Sequence, residues 1–99
     1  MAVEIRGIGL EVTDAMRGAI ERRLSFALGR YGHRIERVTA RLITNANRLH
    51  AVRISVRIRH GEDVIVEDRD LDMYVAINRA ASRVGRAVLR SVDRARLAG

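Results

Sequence analysis

The sequence predicts an α+β fold of order β-α-β-β-β-α, with two helices stacked on one face of a four-stranded mixed sheet. Three observations lead there. Residues 51–59 alternate Val52, Ile54, Val56 and Ile58 with Arg53, Ser55, Arg57 and Arg59, the period of a half-buried strand. Two longer stretches repeat their apolar residues at three- and four-residue steps, the period of an amphipathic helix. No proline, repeat or low-complexity run interrupts the chain, so short connections join the elements of one domain, residues 1–99.

Each element has its own signal. Residues 2–8 read as a strand, with Val3 and Ile5 on one face and Glu4 and Arg6 on the other. Thr13 or Asp14 suits a helix N-cap, and Met16, Ile20, Leu24, Ala27, Leu28 and Tyr31 carry the first helix to about Tyr31, with Gly32 as its stop. A second strand covers about 35–43, its Val38, Ala40 and Leu42 inward. Asn45 and Asn47 supply turn chemistry before the third strand at 51–59. His60, Gly61 and Glu62 turn into a fourth strand at about 63–67, Val64 and Val66 inward. Asp70 then caps a second helix running to about Leu97. The first two strands, joined through a helix, are expected to lie parallel by a right-handed crossover. The last three form an antiparallel meander, and the simplest packing puts both helices on one side.

Net charge is +7, all 19 basic residues are arginine, and hydrophobic residues make up 47% of the chain, enough for a folded globule rather than a basic tail. Codon usage in a GC-rich genome explains arginine in place of lysine but not the excess of positive charge. That excess is unevenly spread. Residues 62–72 hold six acids against Arg69 alone, a net −5, and the remainder holds 18 arginines against six acids, a net +12. Such polarity orients a protein on a polyanion. Cysteine is absent, which excludes disulfides and thiolate metal sites. The first residues carry no long apolar run, so neither a secretory signal nor a membrane span is predicted, and the cytoplasm is the expected compartment.

The second helix carries the strongest functional signal. Ile77, Ala81, Val84, Val88 and Val92 gather on one side, and Arg79, Arg83, Arg86, Arg90 and Arg94 follow the same spacing almost opposite, with only Asp93 among them. Like charges at such spacing repel by a few tenths of a kcal/mol each, and ordinary wet helix faces mix signs. The column is therefore expected to stand unneutralised and to take up phosphate, which a planar guanidinium grips through two oxygens. Arg22, Arg23 and Arg30 of the first helix are expected to flank the groove between the helices. Arg41, Arg53, Arg57 and Arg59 form a second basic surface on the open sheet face, where exposed strands commonly carry long charged side chains paired with acids such as Glu4 or Glu67. The only aromatics are Phe26, Tyr31 and Tyr74, with none on the third strand to stack bases. Recognition of backbone and shape in folded RNA is the expectation.

Catalysis has little support. His33, His50 and His60 are widely spaced and no nucleophile–base arrangement is visible. The acids at 62–72 are the only carboxylate cluster. They suit the N-terminal dipole of the second helix and the protection of an edge strand better than they suit Mg²⁺. No enzyme activity, cofactor or metal is predicted.

The segment Asp72-Met-Tyr-Val-Ala-Ile-Asn78 resembles the DMYAAID signature of bacterial ribosome hibernation-promoting factors, also called ribosome-associated inhibitors. Val3-x-Ile5-x-Gly7, the run Leu10-Glu-Val-Thr-Asp-Ala-Met-Arg17, and Arg30-Tyr31 before Ile35 are similar to that family as well, so the likeness spans nearly the whole chain. It implies the same β-α-β-β-β-α fold and binding to ribosomal RNA in the decoding channel of the small ribosomal subunit, where mRNA and tRNA would lie. Carried onto this chain, the RNA-binding candidates are Arg22, Arg23, Arg30, Arg79, Arg83, Arg86, Arg90 and Arg94, and the implied mechanism is steric blockage of translation during hibernation. Asn78 departs from the signature's final Asp. Ending at Gly99, the chain looks like the short class, which pairs ribosomes only with a separate dimerising factor. The alternative reading, a general double-stranded RNA-binding module, would bind free duplexes as well as it binds ribosomes.

Overall fold

The computed structural model describes residues 2–98 and has the predicted architecture. Strand β1 (Val3–Ile8), helix α1 (Asp14–Leu28), a 3₁₀ segment (Gly29–Arg34), strands β2 (Ile35–Thr44), β3 (His50–Ile58) and β4 (Val64–Asp70), and helix α2 (Met73–Ala98) follow in order. The sheet runs β1-β2-β3-β4, with β1 parallel to β2 and the remaining pairs antiparallel.

The core lies between the sheet and the two helices. Val38, Ala40 and Leu42 of β2 and Val52, Ile54, Val56 and Ile58 of β3 meet Ile20, Leu24 and Leu28 of α1. From α2 come Met73, Ile77, Val84, Val88 and Val92, with Ala76, Ala80 and Ala81 among them, and all of these are buried. The alternation in β3 thus does what its period requires. Its apolar row meets the helices and its arginines stand on the open face.

Turn chemistry sets the connections. Thr13 caps α1, its hydroxyl accepting the Met16 N–H at 3.1 Å. Asn45 Oδ1 accepts the N–H groups of Asn47 at 2.9 Å and Leu49 at 3.1 Å. Arg48 adopts φ 61° to close this β2–β3 turn. Gly9, at φ 76°, is held against the Thr44 carbonyl where no Cβ fits.

Three boundaries differ from expectation. Helix α1 ends at Leu28, not Tyr31, and both Gly29 and Gly32 lie in the 3₁₀ segment. Two glycines within four residues weaken α-helix, and the tighter 3₁₀ turn aligns Tyr31 with Leu28. Strand β4 runs on to Asp70 rather than 67, because β3 pairs with it as far as His50↔Asp70. Finally, Asp72 and not Asp70 caps α2. Asp72 Oδ1 accepts the N–H of Tyr74 at 2.9 Å and of Val75 at 3.4 Å, while Asp70 accepts the Asp72 N–H at 2.8 Å.

Candidate nucleic-acid interface

Extending β4 changes the electrostatics of α2. Residues two apart on a strand share a face, so Asp68 and Asp70 continue the inward row of Val64 and Val66 and point at the helix. Residues four apart on α2 meet them there. Arg79 Nε lies 3.2 Å from Asp68 Oδ1, and its Nη2 lies 2.6 Å from Asp70 Oδ2. Arg83 Nη1 donates to the Glu67 carbonyl at 2.7 Å and reaches Asp68 Oδ2 at 3.4 Å. The Asp68 side chain is only 13% exposed. Asp70 is held below the usual aspartate pKa, chiefly by the Asp72 N–H it accepts; desolvation opposes this, and the hydrogen bond and charge of Arg79 add to the lowering.

The expectation of an unneutralised column therefore fails for its first two members. Arg94 makes only a long contact, 3.8 Å, to a largely exposed Glu62. Arg86 and Arg90 have no carboxylate partner among the described residues, and the same holds for Arg22, Arg23 and Arg30.

The free arginines converge on the groove between the helices. Helices α1 and α2 approach closely where Gly85 faces Ala27: a Cβ on Gly85 would stand 3.2 Å from the Ala27 Cβ. Above this contact lies a groove of about 500 Å³, bordered by Arg23, Phe26 and Arg30 on one side and by Ser82, Arg86 and Leu89 on the other. Arg90 is exposed one turn beyond Arg86. Arg22 does not flank the groove as expected. Its guanidinium folds back over Gly18, one turn earlier on its own helix. Arg23, Arg30 and Arg86 are thus brought together, Arg79 and Arg83 lean to β4, and Arg94 lies at the far end of α2.

The open sheet face is a mixed-sign network. Glu4 takes Arg37 at 2.7 Å and Arg6 at 3.3 Å, Glu67 takes Arg53 at 3.4 Å and Arg69 at 2.9 Å, and Asp63 lies 3.8 Å from Arg57. Glu4 is depressed below the ordinary glutamate pKa, first by the Arg37 hydrogen bond. Of the arginines expected here, Arg59 pairs with Glu36 at 3.7 Å, and Arg41 has no carboxylate partner among the described residues. The arginines here outnumber the acids, so the face stays positive, but each paired guanidinium must give up a carboxylate before it takes a phosphate.

Sequence reasoning passed over Phe26. It stands on α1 between Arg23 and Arg30 with 90% of its surface exposed. Its place opposite Leu24 on the helix was the available signal. Among the described residues no three His, Asp or Glu side chains gather as a metal site, and no helix is long and apolar enough to cross a membrane.

Residues 3–96 match the model of a family described as Sigma 54 modulation protein / S30EA ribosomal protein. The N-terminal domain of Protein Y from Thermus thermophilus, known from a crystal structure, is 33% identical. The match covers 88% of this chain and 93% of that one, with a TM-score of 0.76. A ribosomal subunit interface protein from Coxiella burnetii has the same fold at 17% identity and a TM-score of 0.78, over 91% of this chain and 96% of that one. No curated protein matches the chain.

Proposed function

Because the chain belongs to the Sigma 54 modulation protein / S30EA ribosomal protein family, we propose that it is a cytoplasmic, ribosome-associated inhibitor of translation that binds ribosomal RNA of the small subunit in the decoding channel. The protein acts by occupancy. A rigid domain lodged where mRNA and tRNA anticodon stems lie prevents both from binding, and no bond is made or broken.

Support for this reading comes from one arrangement: Arg23, Arg30, Arg86 and Arg90 have no carboxylate partner among the described residues, and three of them border the interhelical groove. Each offers a fork of N–H donors to phosphate oxygens without first surrendering an internal ion pair. Arg22 and Arg94 extend the positive surface. Arg79 and Arg83 contribute only where a phosphate displaces or shares Asp68 and Asp70. On the β4 flank the acids occupy Arg53, Arg69, Arg79 and Arg83, so the arginines free for phosphate lie on the helices and the domain docks helices first.

Parallel sedimentation with small subunits, large subunits and whole ribosomes tests the proposal. The protein is expected to travel with small subunits and whole ribosomes and not with large subunits. Equal affinity for free duplex RNA and for small subunits would instead identify a general double-stranded RNA binder.

A further inference from the structure

Phe26 is 90% exposed, and a single exposed apolar residue is unremarkable on most surfaces. Here it is not single. Leu89, 41% exposed, and the half-buried Tyr31 line the same interhelical groove. The charged groups at the rim, Arg23, Arg30 and Arg86, are all positive and lack carboxylate partners among the described residues. An apolar surface bordered by cations fits an occupant that carries both a π-face and a negative group. The groove's volume of about 500 Å³ lies within the range of about 300–1,000 Å³ typical of small-ligand sites.

We propose that this groove takes one unpaired RNA nucleotide, its base stacked on Phe26 and its phosphate held by Arg23, Arg30 or Arg86. The inference rests on the ribosomal reading above and adds to it a contact that paired RNA cannot make. A base inside a duplex keeps both faces covered, whereas an unpaired base presents one to an aromatic ring. The stacking platform that the sheet lacks is thus placed on a helix. It adds affinity without a further phosphate and leaves the salt dependence unchanged. An acidic protein segment is the competing occupant. It would value apolar area at position 26 and be indifferent to aromaticity.

The test uses the whole chain with Phe26→Ala, Phe26→Leu and Phe26→Trp. Phe26 is exposed, so all three are expected to melt like the parent. Phe26→Ala should weaken small-subunit binding by about tenfold to a hundredfold, the usual worth of one stacked base, with an unchanged salt slope. Phe26→Leu should lose most of that affinity too, and Phe26→Trp should keep it. The chain has no tryptophan, so the introduced indole reports alone. Its emission should be quenched by a short unpaired oligoribonucleotide and not by a hairpin duplex. Full binding by Phe26→Ala, full binding by Phe26→Leu, or an unquenched indole would overturn the proposal, and the second of these would point to a protein contact. If the parent chain itself fails to sediment with small subunits, the ribosomal reading falls, while the quenching result still decides whether the groove takes a nucleotide.

Discussion

Replacing Asp68 with Asn should weaken the fold and strengthen RNA binding at once. Asp68 is the shared partner of Arg79, at 3.2 Å, and Arg83, at 3.4 Å. Its side chain is 13% exposed while the two arginines are half-exposed. Asparagine keeps the shape and removes the charge. Pairs with one solvated partner contribute up to about 1 kcal/mol each, so about 1–2 kcal/mol of stability should go, and each 1 kcal/mol lowers the Tm of a domain this size by about 4–8 °C. The same change frees Arg83 for phosphate, whereas Arg79 stays on Asp70 at 2.6 Å. Each phosphate neutralised adds about 0.7–0.9 to the slope of log affinity against log salt. The variant's slope should then steepen by about 0.7–0.9, losing about threefold more affinity than the parent between about 50 and 200 mM salt. Circular dichroism melts and filter binding to small ribosomal subunits across that range read the two effects. An unchanged slope, or binding weakened in step with stability, would refute the reasoning, because it would mean that Asp68 does not hold Arg83 back from phosphate.

Two further outcomes follow from the same geometry. Gly85→Val places branched carbons against Ala27, where a Cβ alone would already stand at 3.2 Å; wedging the helices apart should cost about 1–3 kcal/mol, measured by urea denaturation. Asp70 has a depressed pKa, so its contribution to stability is complete above the ordinary aspartate value of about 4 and is lost as pH falls below it through the depressed value. Urea midpoints measured downward from about pH 5 should therefore fall less steeply in Asp70→Asn than in the parent, and parallel curves would count against the hold on the Asp70 carboxylate by the Asp72 N–H and, after it, Arg79.

Period was the readable part of this protein. Val52, Ile54, Val56 and Ile58 announced a half-buried strand, and Ile77, Val84, Val88 and Val92 announced the packed side of a helix; both lie in the core. The segment Asp72–Asn78 and the opening residues resembled the family that the chain belongs to. Tertiary pairing was harder to see. The series Val64, Val66, Asp68, Asp70 keeps the period of a strand face, but its last two members are charged and carry no apolar signal past 67. Nothing local says that β4 and α2 lie side by side with their acids and arginines in register. Phe26 was legible in principle. Two residues beyond Leu24 it sits about 200° around the helix from the core, the reverse of where an apolar ring is sought. The end of the first helix is obscured in a related way, since Tyr31 keeps the apolar spacing while the glycines on either side of it favour a tighter turn.

The most direct test replaces Arg23, Arg30, Arg86 and Arg90 together with Gln, residues whose side chains lie outside the core, and measures small-subunit affinity as salt is varied. The variant should fold like the parent, lose most of its affinity, and show a slope shallower by about 2.8–3.6 if each arginine neutralises one phosphate. Binding with the parent's affinity and slope would mean that the groove between the helices does not face the RNA.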